Sequence, residues 1–99
     1  MTTDDFAFAP PPFKPEEALV RLRRELREVR GLAERGAGFE CRGHVVVELS
    51  LDGPAIQARL VERPARTPRW EAHRLTTAAE VRRFTEEVRR RLARWADDE

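Results

Sequence analysis

Phe39-Glu40-Cys41-Arg42-Gly43-His44-Val45-Val46-Val47-Glu48-Leu49-Ser50-Leu51, with Asp52-Gly53 directly after it, is the stretch that decides the fold. Phe39, Cys41, Val45, Val47, Leu49 and Leu51 share one parity, and Glu40, Arg42, His44, Glu48 and Ser50 share the other, with Val46 as the exception. Period-two alternation over this length predicts one long strand with a single buried face. Gly43 interrupts the apolar parity and marks a bulge or a close helix approach. Asp52-Gly53 is a hairpin signal, and Pro54 is tolerated at the start of the returning strand.

Working outward, Ala55 to Arg63 reads as a second strand, with Ile56, Ala58 and Leu60 facing the core. Pro64 to Pro68 reads as a loop, and Arg69 to Leu75 as a third strand whose inward face is ambiguous. Upstream, Pro15 to Arg35 reads as a helix. Pro15 suits its first position, Glu16 and Glu17 complement its positive end, and Leu19, Leu22, Leu26, Val29 and Ala33 form its apolar stripe. Gly36 and Gly38 provide its stop. Downstream, Thr77-Ala78-Ala79-Glu80 is a capping box, and Val81, Phe84, Val88, Leu92 and Trp95 form the stripe of a second helix. The prediction is a two-layer α+β fold in the order α-β-β-β-α: a three-stranded antiparallel meander with both helices on one face. It spans residues 14–99. Residues 1–13 read as an extended tail carrying Pro10-Pro11-Pro12, Phe6 and Phe8. Phe13 is placed to staple the first helical turn.

The chain has 99 residues, 19 Lys+Arg against 18 Asp+Glu, and a formal charge of +1. No net field marks a nucleic-acid or membrane binder. All but one of the basic residues are arginine, which GC-rich coding explains. The single cysteine, Cys41, excludes an internal disulfide and a thiolate zinc site from one chain. No stretch is apolar enough to span a bilayer, and no signal peptide is visible, so a cytoplasmic location is expected.

Catalytic chemistry finds little support. Cys41 lies on the apolar parity, and His44 lies on the other face of the same expected strand, so they do not pair. Ser50 has no motif around it, and no phosphate-binding glycine loop is present. His44 and His73, with Glu48 or Glu71, fall short of three convergent metal ligands. We expect neither enzyme activity nor a cofactor, although a pocket near Trp70, Trp95 and Cys41 would accommodate a small ligand. The helices carry i,i+4 pairs such as Glu17 with Arg21 and Arg82 with Glu86, the pattern of a solvated surface.

The predicted element order resembles that of the double-stranded-RNA-binding domain, whose last helix meets phosphates with basic residues at its start. Thr76-Thr77-Ala78-Ala79-Glu80 stands at that place in this chain, and His44 is on a strand, not in a hairpin loop, so no functional residue carries over. Residues 15–35 hold six Arg against five Glu, and residues 69–99 hold eight Arg against seven acids. Such local neutralisation disfavours a phosphate footprint.

The leading expectation is a non-catalytic protein-interaction module (an adaptor, accessory subunit or regulator) that forms a homodimer. Its partner surface would be the open sheet face, with Arg42, His44, Val46, Arg59 and Val61, together with Phe6 and Phe8 of the tail. The alternative is a nucleic-acid binder using Arg82, Arg83, Arg89, Arg90 and Arg94 of the last helix.

Overall fold

In a computed structural model, residues 12–97 are described. Two helices pack on one side of a five-stranded antiparallel sheet in the order β1-β2-β3-β4-β5. The elements are α1 (Pro15–Arg27), β1 (Ala33–Arg35), β2 (Gly38–Cys41), β3 (His44–Asp52), β4 (Ala55–Val61), β5 (Trp70–Leu75) and α2 (Ala78–Asp97). The class and the one-sided meander agree with expectation. Five strands, not three, correct the α-β-β-β-α order.

One source of the difference is Arg42-Gly43. Both residues have positive φ (54° and 83°), and Cys41 pairs with His44 across them, so they form a two-residue hairpin turn of the primed type. What reads as one long strand is a hairpin. Directly after it the register shifts: Phe39 pairs with Val47 and Glu40 with Val45, leaving Val46 as the extra residue of a bulge. The turn and the bulge each reverse the parity, and the two reversals cancel. Phe39, Cys41, Val47 and Leu49 are therefore all buried, as uninterrupted alternation would have placed them.

The other source is the end of α1. Gly31, at φ +99°, takes the chain into a conformation that side-chain-bearing residues rarely adopt, eight residues before Phe39. The helix stops at Arg27 rather than Arg35, and the last turn tightens through Glu28 N–H to the Glu25 carbonyl and Val29 N–H to the Leu26 carbonyl, each at 3.1 Å. Ala33, expected on the helical stripe, sits exposed in the short edge strand β1.

The core fills the space between the sheet and the helices. Leu22 and Leu26 of α1, and Phe84, Val88 and Trp95 of α2, close over Phe39, Val47, Leu49, Ile56, Ala58 and Leu60. Phe13, just before α1, is half-buried and packs against the core, as do Ala18 and Leu19 of the helix. The capping box also forms. Thr77 Oγ1 accepts from the Glu80 N–H at 3.1 Å, while the Glu80 carboxylate accepts from the Thr76 N–H and hydroxyl at 2.7 and 3.0 Å. Those bonds, with the Thr77 N–H and Arg83 beside them, hold the Glu80 pKa below its ordinary range against the opposing effect of desolvation. Phe6 and Phe8 lie outside the described residues.

Candidate functional site: the uncovered sheet face and the free edge

Cross-strand pairs share a face, so the β3–β4–β5 register sorts every side chain. Leu60 pairs with Glu71, Ala58 with His73 and Ile56 with Leu75, and these lie under the helices. His73 stacks edge-on against Phe84 of α2, with ring centroids 5.5 Å apart. Val61, Arg59 and Gln57 pair with Trp70, Ala72 and Arg74 on the opposite face. The ambiguous face of β5 is thereby settled, with His73 on the helix side.

Arg59 organises the centre of the uncovered face. Its guanidinium lies 4.5 Å from the Trp70 ring centroid and donates to Glu48 at 2.6 Å. Arg74 is paired with Asp52 on the same face. Both pairs are half-exposed and contribute little stability, as exposed ion pairs do. They do hold an aromatic plate and its flanking charges in one arrangement.

The sequence-derived partner residues are redistributed. Arg59 stands where expected. Val46 and Val61 are fully buried, which corrects their assignment to an accessible surface: Val46 is the bulge residue, and Val61 lies opposite Trp70. Arg42 is a turn residue, not a strand residue. His44 is exposed at the tip of the β2–β3 hairpin, directly across from buried Cys41 and not on the other face from it. No side-chain hydrogen bond joins the two. Trp70, the aromatic centre of the face, was missed because β5 alone does not reveal which parity faces inward.

At the same end of the strands as that hairpin, where β4 ends, a polar cluster ties α2 to the sheet. Arg91, 9% exposed, donates to the Val61 carbonyl at 3.0 Å, to Glu71 at 2.7 Å and to Glu87 at 2.8 Å. Trp95 Nε1 donates to the Glu62 carbonyl at 3.0 Å. Burial opposes the charge on Arg91, but its hydrogen bonds to Glu71 and Glu87 outweigh it and leave its pKa above the ordinary value. The Glu87 carboxyl is held below the usual glutamate range, first by its hydrogen bond from Arg90 and, against desolvation, by Arg91. A carboxylate with a depressed folded pKa adds stability above its unfolded pKa and loses it as pH falls through the folded value. We therefore expect the unfolding temperature to drop on acidification below the usual glutamate range. Glu87→Gln should flatten that dependence, as followed by circular dichroism.

On the far side of the fold, Arg23 of α1 donates to Glu34 at 2.6 and 3.0 Å and to the carbonyls of Gly36 and Ala37 at 2.6 and 3.2 Å, clamping the β1–β2 turn. Arg27 pairs with the same Glu34 at 3.6 Å. The expected pairs Glu17 with Arg21 and Arg82 with Glu86 make no ion pair among the described residues; Glu87 instead pairs with Arg90 at i,i+3 and with Arg91 at i,i+4. Arg82, Arg83, Arg89, Arg90 and Arg94 are all exposed, and only Arg90 makes an ion pair among the described residues.

No group of three or more His, Cys, Asp or Glu among the described residues could hold a metal ion. Glu62, Arg63, Ala65, Thr67, Pro68 and Arg69 line a shallow depression in the β4–β5 loop, and none of Trp70, Trp95 and Cys41, expected to line a pocket, is among them. No described helix is long and apolar enough to cross a membrane. Fold and surface together define a small α+β domain with a one-sided sheet. No family model matches the chain, and no curated protein or solved structure matches it.

Proposed function

We propose that the chain is a non-catalytic protein-interaction module that associates with a second copy of itself through sheet surface its helices leave uncovered. The observation behind this reading is the one-sided architecture. Both helices lie over the same face, while the other presents Trp70 stacked under Arg59, with Glu48, Gln57 and Arg74 around it. Trp and Arg are the residues most enriched where binding energy concentrates, and here each is already held in place by a neighbour. Sedimentation at micromolar concentration tests the reading. A dimer is expected, and a strict monomer would count against it.

A second reading draws on the α2 arginines. Arg82, Arg83, Arg89 and Arg94 are solvated and make no ion pair among the described residues, so the local charge balance in the sequence does not neutralise them by contact. Retention on duplex DNA or RNA at low salt that weakens steeply with added salt would favour nucleic-acid binding. No retention on either polymer would dismiss it.

A further inference from the structure

We infer that the dimer forms by antiparallel pairing of β5 with β5 of a second copy, centred on Ala72, so that one sheet runs through both chains. This rests on the self-association reading above and specifies which surface carries it.

The argument begins with the ladder. The Glu62 N–H donates to the Arg69 carbonyl at 2.9 Å, one step beyond the Val61–Trp70 pair. In an antiparallel ladder, hydrogen-bonded and non-hydrogen-bonded pairs alternate. Leu60–Glu71, Ala58–His73 and Ile56–Leu75 are therefore the bonded pairs. Glu71, His73 and Leu75 spend their backbone groups on β4. Trp70, Ala72 and Arg74 point their N–H and C=O groups away from it, toward the free edge of the sheet. No other described strand pairs with that edge.

The two edges of the sheet differ. The β1 edge is three residues long and bears charged Glu34 and Arg35, the features that blunt an edge. The β5 edge is six residues long, with a small, exposed alanine at its middle.

A two-fold axis perpendicular to the sheet keeps each face on its own side. Setting Ala72 against Ala72 of the second copy makes Trp70 and Arg74 of one chain bonded partners of Arg74 and Trp70 of the other. Every outward N–H and C=O of the three residues then finds a partner. Sliding by two residues leaves some of them unpaired.

The side chains fit the same register. On the uncovered face, Arg74 of one copy lies beside Trp70 of the other, a cation beside an indole. On the helix side, Glu71 lies opposite His73 of the other copy. His73 Nε2 is the one buried side-chain nitrogen or oxygen among the described residues with no hydrogen-bond partner, and its own chain's Glu71 stands 3.8 Å away. The second copy brings another carboxylate to it. No like charges face each other, which would oppose the pairing.

Ala72→Pro is the direct test. Proline removes an outward N–H, which the β4–β5 ladder does not use, and edge strands tolerate it there. We expect the folded protein to keep its circular dichroism while its dimer dissociation constant rises about a hundredfold, from the lost hydrogen bonds and the ring at the axis. In the wild-type protein, the amides of Trp70, Ala72 and Arg74 should exchange slowly when concentrated and rapidly when dilute. A dimer that survives Ala72→Pro with fast exchange at those amides overturns edge pairing and leaves self-association standing. A wild-type protein that never dimerises overturns both.

Discussion

Arg91→Ala is expected to lower folding stability by about 3 kcal/mol, because removing one member of a buried charged cluster leaves its partners without compensation. The Val61 carbonyl and Glu71 lose the donor that Arg91 supplies, and Glu87 is left with Arg90 alone. The Val61 carbonyl sits where β4 ends, and Glu71 stands on the neighbouring β5, so the loss loosens the grip of α2 on the sheet edge. Arg91→Lys should recover less than half of the deficit. A lysine ammonium is a point charge and does not meet three acceptors in the planar fork that the guanidinium presents. Urea denaturation of the two variants beside wild type measures both effects. Lysine restoring full stability would show that charge alone, and not the fork, holds the cluster together. For a chain of this size, such a loss is a large share of the stability expected.

Gly38→Ala should be nearly as damaging, at about 2–3 kcal/mol, although alanine adds a single methyl group. A Cβ at this position would stand 2.1 Å from the Val47 carbonyl oxygen, a backbone atom that cannot rotate aside. Gly38 pairs with Glu48 beside the bulge, and the neighbouring Leu49 N–H donates to the Ala37 carbonyl at 3.1 Å. The substitution therefore pushes β2 off β3 and disturbs Phe39, a fully buried side chain of the core. Gly36→Ala is the control. Nothing lies within 4 Å of a Cβ there, so only its positive φ of 56° resists the change. That costs about 1 kcal/mol. Thermal unfolding of the two variants should rank Gly38→Ala well below Gly36→Ala. Equal losses would mean that backbone conformation, not close approach, makes glycine necessary at residue 38.

The legibility of this fold follows from which interactions are local. Period-3.6 stripes put Leu22 and Leu26 inward on α1 and Phe84, Val88 and Trp95 inward on α2, and those five residues are buried. The Thr77–Glu80 box is a contact within one turn, so the start of α2 was legible too. Gly53 marked the β3–β4 turn for the same reason, since glycine supplies the positive φ the turn needs, but the turn is Gly53-Pro54, one position on from the expected Asp52-Gly53, because Asp52 still pairs with Ala55. The Arg42-Gly43 turn was not legible, because its parity reversal is undone three residues later by the bulge at Val46. The alternation then reads straight through both.

The candidate surface was only partly legible. Arg59 follows from the parity of β4. Trp70 does not, since the β5 parity is decided by Phe84 packing on His73 and by Arg91 reaching Glu71 across the sheet.

The residues alone thus determined the α+β class, the helical faces and the tight turns, because each depends on neighbours a few positions apart. The tertiary structure decided the strand count, the burial of Val46 and Val61, the side of the sheet on which Trp70 stands, and which edge is left with unpaired backbone groups. All of these depend on register between segments distant in sequence. A bulge of a single residue resets that register without altering the composition of the chain.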